Sequence, residues 1–600
     1  MLRLLPAAAR AGDRLAGRGR RLTASLAGWQ VSRQPLRQGG AALLLVMAVA
    51  TGTLALAQHA SWTRSASDQA SFTAGADVRV DLPDPPPLGR VGTIAGAGGV
   101  RNAMAASATP GATAGTVPGE LLAVDASHAA RTVRMRPDQA GTGERTLFGK
   151  ITPKTPPGTA IPGRPSAIRF RAAIGQAGGT TPSTVAAELG PVAVTVTVAD
   201  GSGDMYQLNA GTLPADGRDH TLTAPLGGDQ VSYPLRLLQV RVGYEMPLKQ
   251  NVVLTLTETG LPLSGWQPSA TSPDLEGLQE DQQTYGPSAL PSNDTWQASG
   301  DAATFSFGSG YGQDQSLVAP GAPPSTAPTS AQVTLSAPAE SAATPLPAIA
   351  TSAFADANAA GPGSVVQAFV NGAQFPVTIV AVVDTFPTVP SASGAIIANL
   401  SSVQLRLLAQ AAAPLAVTEW WLSTSGHQIP AGLARALPAG NEITGAAQTA
   451  AALTGDPLSA APQEALLALA AAAALLAITG FWVSITSNVR QRRAETALLA
   501  ALGVSQRSAA LQLCLEKLML SVPAALLGLV LGTVVARLLV PAVTLSSAAA
   551  QPTPPPLTLY DLPQTLPLAA AIAVLPALAT ALIMIRRPDP AAELRAAEAA

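Results

Sequence analysis

Six hundred residues with 47% hydrophobic and only 12% charged side chains fall well below the roughly 25% charge of a soluble domain, which fits a chain built partly for lipid. A net charge of −1 gives no sign of nucleic-acid binding, and the single cysteine, Cys514, excludes an intramolecular disulfide and a cysteine zinc site. His59, His128, His220 and His427 are scattered without ligand spacing, so no metal site and no cofactor is expected.

The chain opens on a basic segment, 1–38. Residues 1–40 hold eight arginines against one acid, Asp13. Residues 7–30 alternate Ala and Leu with Arg, the pattern of an amphipathic helix lying on anionic membrane lipid; a disordered basic tail is the alternative. Ala41–Ala57 is just long enough for a first transmembrane helix, placed at 39–58, since crossing takes roughly 20 apolar residues. Its rival is the core of a signal peptide, with Ala55-Leu56-Ala57 as a cleavage-like site.

Strand signals then dominate. In 59–155, Ala76–Leu82 and Thr132–Met135 alternate as half-buried strands, and 95–118 reads as a loop. In 160–315, Ile168–Arg171 and Val192–Val198 alternate, Asp200-Gly201-Ser202-Gly203 makes a turn, and Met205–Leu208 returns as the partner strand. Leu235–Tyr244 and Val252–Thr257 continue the pattern, which predicts a β-sandwich. Residues 316–345 are a Pro/Ser/Ala-rich linker. In 346–460, the apolar run Phe375–Asp384 predicts a fully buried strand, followed by a helix over about Ser402–Ala413. Segments 59–155 and 346–460 read as two halves of one α+β domain, with the sandwich inserted between them.

Three more apolar runs follow, giving transmembrane helices at 464–486, 517–540 and 565–586. Between the first two lies a basic elbow, 487–516, with Arg490, Arg492, Arg493 and Arg507. The connection 541–564 has no Lys or Arg, whereas the tail 587–600 and its approach carry Arg586, Arg587 and Arg595. Positive residues mark the cytoplasmic side. Both termini and the elbow are therefore expected inside, and 59–463 outside, in a multi-pass cell-membrane protein.

In the elbow, Glu495, Leu498, Leu499 and Leu502 share one helical face. Gly503 is placed to end that helix and Ser505 to cap the next, with Arg492 and Arg493 at its start. In the third span, Gly528 and Gly532 form a GxxxG pair that lets two helices approach closely; incidental glycine is the alternative. Pro523 and Pro576 are candidate kinks, and Arg537 stands near the outer end of its span, able to snorkel. No catalytic constellation is found. A phosphate-cradling G-x-x-x-x-G-K-[ST] is absent, Gly149-Lys150 lacks its context, Gly308–Gly312 reads as a turn, and Asp274, Glu276, Glu280 and Asp281 read as a solvated loop.

Here the residues resemble a family. Arg492-Arg493-Ala-Glu495 … Leu498-Leu499 … Leu502-Gly503-Val504-Ser505 … Glu516, the layout of one span, a large domain and three spans, and the ending Arg586-Arg587-Pro-Asp589-Pro590-Ala-Ala-Glu593-Leu594-Arg595 are similar to the FtsX-like, or MacB-like, permease domain of ATP-binding-cassette systems. Trp29–Arg37, Gly75–Val80 and Ala348–Phe386 add to the likeness. The inserted sandwich and the Ala/Arg/Pro-rich composition suit the high-GC Gram-positive type. Many such permeases carry two modules; this chain has one, so a half-size permease or the C-terminal half of a longer ancestor is expected. The resemblance implies that the elbow, through Arg492, Arg493, Glu495, Leu498, Leu499, Leu502, Gly503 and Ser505, couples to a separate ABC-type ATPase, against the alternative of a loop that only orients the spans. It further implies a homodimer or a pairing with a second permease module, a non-enzymatic chain, and movement of the extracytoplasmic domain driven by ATP. The rival function is a membrane-anchored binding or adhesion protein that uses the β-sandwich.

Overall fold

The computed structural model describes residues 35–585, leaving out 272–294, 310–329, 492–505, 544–550 and several shorter stretches, among them most of 177–191. The expected amphipathic helix at 7–30, the acidic group Asp274, Glu276, Glu280 and Asp281, and the tail 587–600 lie outside the described residues. The chain divides into two units: Ala70–Gln448, and a helical unit of Met1–Gln69 with Thr449–Ala600.

Helix α1 runs from Pro35 to Ala74, well past the end at 58 that hydropathy predicts. Its polar continuation stays helical, with Arg64 and Asp68 paired one turn apart at 2.9 Å. The helix stops at Ala74 because Gly75 takes a φ of +74° and its N–H bonds Ser71 O at 2.8 Å. This is a glycine C-cap. A Cβ at Gly75 would also lie 2.8 Å from the Trp421 ring.

Among the described residues, ten strands form one sheet in the order Glu442–Gly445, Val78–Asp81, Glu419–Thr424, Val100–Thr109, Glu120–Val124, Ala395–Asn399, Leu346–Thr351, Ala373–Val383, Val365–Val370 and Thr113–Ala114. Segments before 125 and after 345 thus close a single platform. Its third strand, Glu419–Thr424, is buried, and Trp420 and Trp421 are both fully enclosed. Successive strand residues point to opposite faces, so Trp420 joins one apolar cluster and Trp421 another. At this strand the platform is covered on both sides.

Three readings are corrected here. The stretch 95–118 is not a loop: Val100–Thr109 is an interior strand, with Met104 opposite Trp421 and Ala105 opposite Trp420. The tryptophans fill the space on both faces, so alanine and serine suffice beside them, and the strand lacks the large residues that betray one. Thr132–Met135 is not a strand. Asp125 caps helix α2 (Ala126–Thr132) by accepting the Ser127 N–H, and Val133 N–H still bonds back to Ala129 O. Of Phe375–Asp384, all but Asp384 lies in the strand Ala373–Val383, but its burial alternates, so one side is only half-covered. Helix α3 (Leu400–Ala409) follows, close to the expected position.

Residues 159–336 form the sandwich. One sheet runs Gln267–Thr271, Ser330–Ser336, Arg236–Glu245, Val192–Ala199, Met205–Leu213, with Thr159–Ala160 also on Arg236–Glu245; the other runs Thr295–Ser299, Ala302–Ser309, Gln250–Thr257, Ala167–Gln176, His220–Pro225. Inward residues such as Val194 and Val242 of the first and Phe170 and Leu254 of the second belong to one apolar cluster. The linker expected at 316–345 is corrected at 330–336, residues 316–329 lying outside the described ones. Ser330–Ser336 pairs with both Arg236–Glu245 and Gln267–Thr271, its alternation obscured by the flanking Pro and Ser.

Three long helices complete the helical unit: α4 (Pro457–Gln491), α5 (Gln506–Val543) and α6 (Leu562–Ile585). Among the described residues, four helices are long and apolar enough to cross a membrane, at Gly40–Ala74, Ser459–Ser487, Ala510–Val543 and Leu562–Leu582. Helices α5 and α6 continue through Pro523 and Pro576.

One carboxylate ties the ends of the sheet-rich unit together. Asp77, only 3% exposed, accepts a bidentate bond from Arg134 at 2.9 and 3.0 Å, the Thr424 N–H at 2.9 Å, and a bond with the His427 ring at 2.8 Å. Its own carbonyl accepts the Ala446 N–H. Burial works to raise its pKa, but the bonds from Arg134, Thr424 and His427 outweigh burial and hold the carboxyl below its ordinary value. A depressed folded-state pKa contributes stability above the unfolded value of about 3.9, and that stability is lost as the pH falls through the folded value. Asp77→Asn is expected to cost about 3 kcal/mol and to flatten the acid limb of the stability profile. Thermal unfolding of the detergent-solubilised chain from neutral pH to pH ~3 checks both; an unchanged acid limb would disprove the assignment.

Candidate functional site in the membrane helices

The elbow is framed by the end of α4 at Gln491 and the start of α5 at Gln506. Arg492, Arg493, Glu495, Leu498, Leu499, Leu502, Gly503 and Ser505 lie outside the described residues. What is described is how the frame is anchored. Just beyond the elbow, Glu516 is fully buried and Lys517 nearly so, and each is engaged by neighbouring groups. Charged side chains are buried only when partnered, so the first turns of α5 are held within the helical unit. Ser521 Oγ then donates to Ala573 O of α6 at 2.6 Å, and Cys514 Sγ to Ala577 O at 3.4 Å. Hydroxyl-to-carbonyl bonds of this kind join helices where no water competes.

The glycine pair faces α1. A Cβ at Gly528 would lie 2.8 Å from Val46 O and from Val49 Cβ; one at Gly532 would lie 2.7 Å from Ala50 O and from Thr53 Cβ. Only bare backbone fits. Against its other neighbours α1 packs through leucine tips instead: a Cβ at Gly480 of α4 would lie 2.7 Å from Leu44 Cδ1, and one at Gly52 would lie 2.9 Å from Leu568 Cδ2 of α6. Of the four apolar helices, α1 has the most buried span. Ala42, Leu45, Val46 and Val49 share a core with Phe481, Leu520, Ala524, Ala525 and Ala573. The helix with the shortest apolar run, Ala41–Ala57, is thus the one on which the others pack. Its sequence signal was the small-residue content of residues 48–53, which a search for long apolar runs does not weigh.

The opposite faces are apolar and open. Leu475, Leu476 and Val483 of α4, Leu526 and Leu538 of α5, and Leu578 of α6 are all exposed. Such contiguous apolar surface suits lipid. Arg537 is exposed too, near the α5 end remote from the elbow. At that end Tyr560 OH donates to Thr533 O at 3.3 Å, and Leu559 N–H to Ser61 Oγ at 2.8 Å.

The arrangement of the described helices supplies packing and anchorage. Among the described residues, no group of three or more His, Cys, Asp or Glu is arranged to hold a metal ion. Cys514 is a free thiol whose apolar surroundings engage it as a weak donor.

Gly532→Ala is expected to cost about 1–3 kcal/mol, because its methyl has to force α1 and α5 apart. Gly40→Ala, in α1 with open space at its Cβ, is expected to be neutral or to stabilise by about 0.5–1 kcal/mol. Paired melting curves in detergent check this, and equal effects at the two positions would show that the close contact is absent.

Residues 467–588 match a protein family described as FtsX-like permease C-terminal, and this part of the chain is an FtsX-like permease domain. No curated protein matches the chain.

Proposed function

We propose that the chain is the permease subunit of an ATP-binding-cassette system, coupled to a separate ATPase through residues 487–516. The family match at 467–588 carries this reading, because it spans most of α4, the residues that follow it, α5 and α6. Leu498, Leu499 and Leu502 supply the apolar contact to the partner, and Arg492, Arg493 and Glu495 the polar rim. Gly503 makes the turn, and Ser505 caps the helix that continues as α5. ATP-driven movement of the elbow is passed to α5, whose first turns are gripped through Glu516 and Lys517. Close packing of α5 on α1 through Gly528 and Gly532 then moves both helices together.

Both termini and the elbow lie in the cytoplasm, and 59–463 outside, as the arginine distribution requires. The exposed apolar faces meet lipid and a second permease module, either another copy or a related chain. The spans hold no Asp, Glu or Lys at their centres, where a polar pathway through the membrane is expected to place some. This favours movement of the outer unit over passage of a polar solute.

Leu502→Asp and Gly503→Val are each expected to reduce ATPase recovery in a pull-down from solubilised membranes by about tenfold or more, an apolar anchor and a left-handed turn being worth upward of ~1.4 kcal/mol. Membrane insertion is expected to be unchanged. Normal recovery with both variants would reduce the elbow to an orienting loop. If the unaltered chain brings down no ATPase, an anchored binding protein becomes the better reading. For topology, the Cys514→Ser background allows a single cysteine to be placed at will. An impermeant maleimide is expected to label Ser309→Cys and spare Gln491→Cys in intact cells; the opposite pattern would invert the protein.

A further inference from the structure

The apolar run of α1 ends at Ala57, while the helix itself runs on to Ala74. The first turns of this polar extension and the start of α6 enclose a cleft of about 410 Å³, within the roughly 300–1,000 Å³ of small-molecule sites. From α1 come Leu56, His59, Thr63 and Ser67, spaced three and four apart on one helical face, with Arg64 beside them. From α6 come Gln564 and the residue that caps the helix, Asp561. All belong to the helical unit.

The cleft lies at the depth of the membrane surface remote from the elbow. On α1 it begins where apolar residues give way to polar ones, and on α6 it takes in the start of the span Leu562–Leu582. Trp62, its ring 6.0 Å from that of His59, and Tyr560, beside Asp561, are of the type that collects at this level. Leu56 lines the cleft on its membrane side, and Leu562 and Leu566 are exposed on the turns of α6 that carry Asp561 and Gln564. A ligand here therefore meets polar groups at one end and hydrocarbon at the other.

The charges in the cleft are of both signs and are not paired with each other. Arg64 Nε bonds Asp68 of its own helix at 2.9 Å, with the Arg64 side chain 51% exposed; among the described residues no ion pair joins it to Asp561. Its guanidinium carries further N–H donors in a planar fork that suits phosphate. Asp561 accepts the Gln564 N–H at 3.3 Å, a cap bond that takes one of a carboxylate's roughly four acceptor sites. A phosphate at Arg64 and an ammonium at Asp561 complement both. We propose that the cleft binds the headgroup of an amine-bearing phospholipid, of the phosphoethanolamine type, with its acyl chains along Leu562 and Leu566. A primary ammonium is favoured over a quaternary one, because the lining offers carboxylate, amide and hydroxyl acceptors and no Trp, Tyr or Phe to cage a methylated amine. A headgroup with phosphate but no amine leaves Asp561 without its counter-charge.

Native mass spectrometry of the full chain in detergent tests this, with phosphatidylethanolamine, phosphatidylcholine and phosphatidylglycerol of matched acyl chains titrated in turn. The first is expected to bind about tenfold more tightly than either of the others, the worth of one charged hydrogen bond. Asn caps a helix as well as Asp, so Asp561→Asn is expected to leave the melting curve unchanged and to erase the preference over phosphatidylglycerol. Arg64→Gln is expected to weaken phosphatidylethanolamine and phosphatidylglycerol alike by about tenfold. Arg537→Gln, at an exposed arginine outside the cleft, is expected to change neither. Glycerophosphoethanolamine, which has the headgroup without the acyl chains, is expected to compete at least ~100-fold more weakly than the lipid. Equal binding of the three lipids to the unaltered chain, or a preference that survives Asp561→Asn, would overturn the proposal. So would competition by glycerophosphoethanolamine at the lipid's own concentration, which would make the ligand a soluble amine phosphate.

Discussion

The sheet-rich unit depends on one buried charge. Asp77 lies three residues after the end of α1, and its side chain and carbonyl together hold the loop at Arg134, the strand end at Thr424, the turn at His427 and the departing chain at Ala446. A carboxylate so enclosed is tolerable only with all of its partners in place. The network therefore behaves as all-or-none: the strands on either side of Val78–Asp81 cannot peel away singly without stranding the charge. The first and last segments of a unit of several hundred residues are closed at one point, beside the glycine cap that turns the chain out of α1.

How much of this was legible follows from which signals were purely local. The long apolar runs and the alternating valines of Val192–Val198 announce themselves, because each needs only its own residues to be apolar with the right period. The strand Val100–Thr109 does not. Its alanines make sense only beside Trp420 and Trp421, which lie more than three hundred residues away. Ser330–Ser336 was hidden by the Pro and Ser around it, although its own alternation was present. The reading of Thr132–Met135 as a strand failed because Asp125, a helix cap, outranks a short alternating pattern.

In the membrane helices the same contrast holds. The GxxxG spacing is visible, but not the surface it meets. That surface is Val46 to Thr53, in the helix whose apolar run is the shortest. A helix buried among other helices has less need of a lipid-facing hydrophobic surface than of small residues, so a short apolar run and a buried position go together. Asp200-Gly201-Ser202-Gly203 was read as a turn, which it is.

The ends of the sandwich have a consequence for how such a protein could arise. Its first strand, Thr159–Ala160, and its last, Ser330–Ser336, lie along the same neighbour, with Ala160 opposite Arg236 and Ser336 opposite Gln239. Three residues of strand separate those positions, about 10 Å. The whole module therefore begins and finishes at nearly one place, like a cassette set into a surface loop. A gene segment encoding it can be gained, lost or exchanged in frame while the ten-stranded platform keeps its strand order. The outer module of such a chain can then diverge faster than its membrane helices.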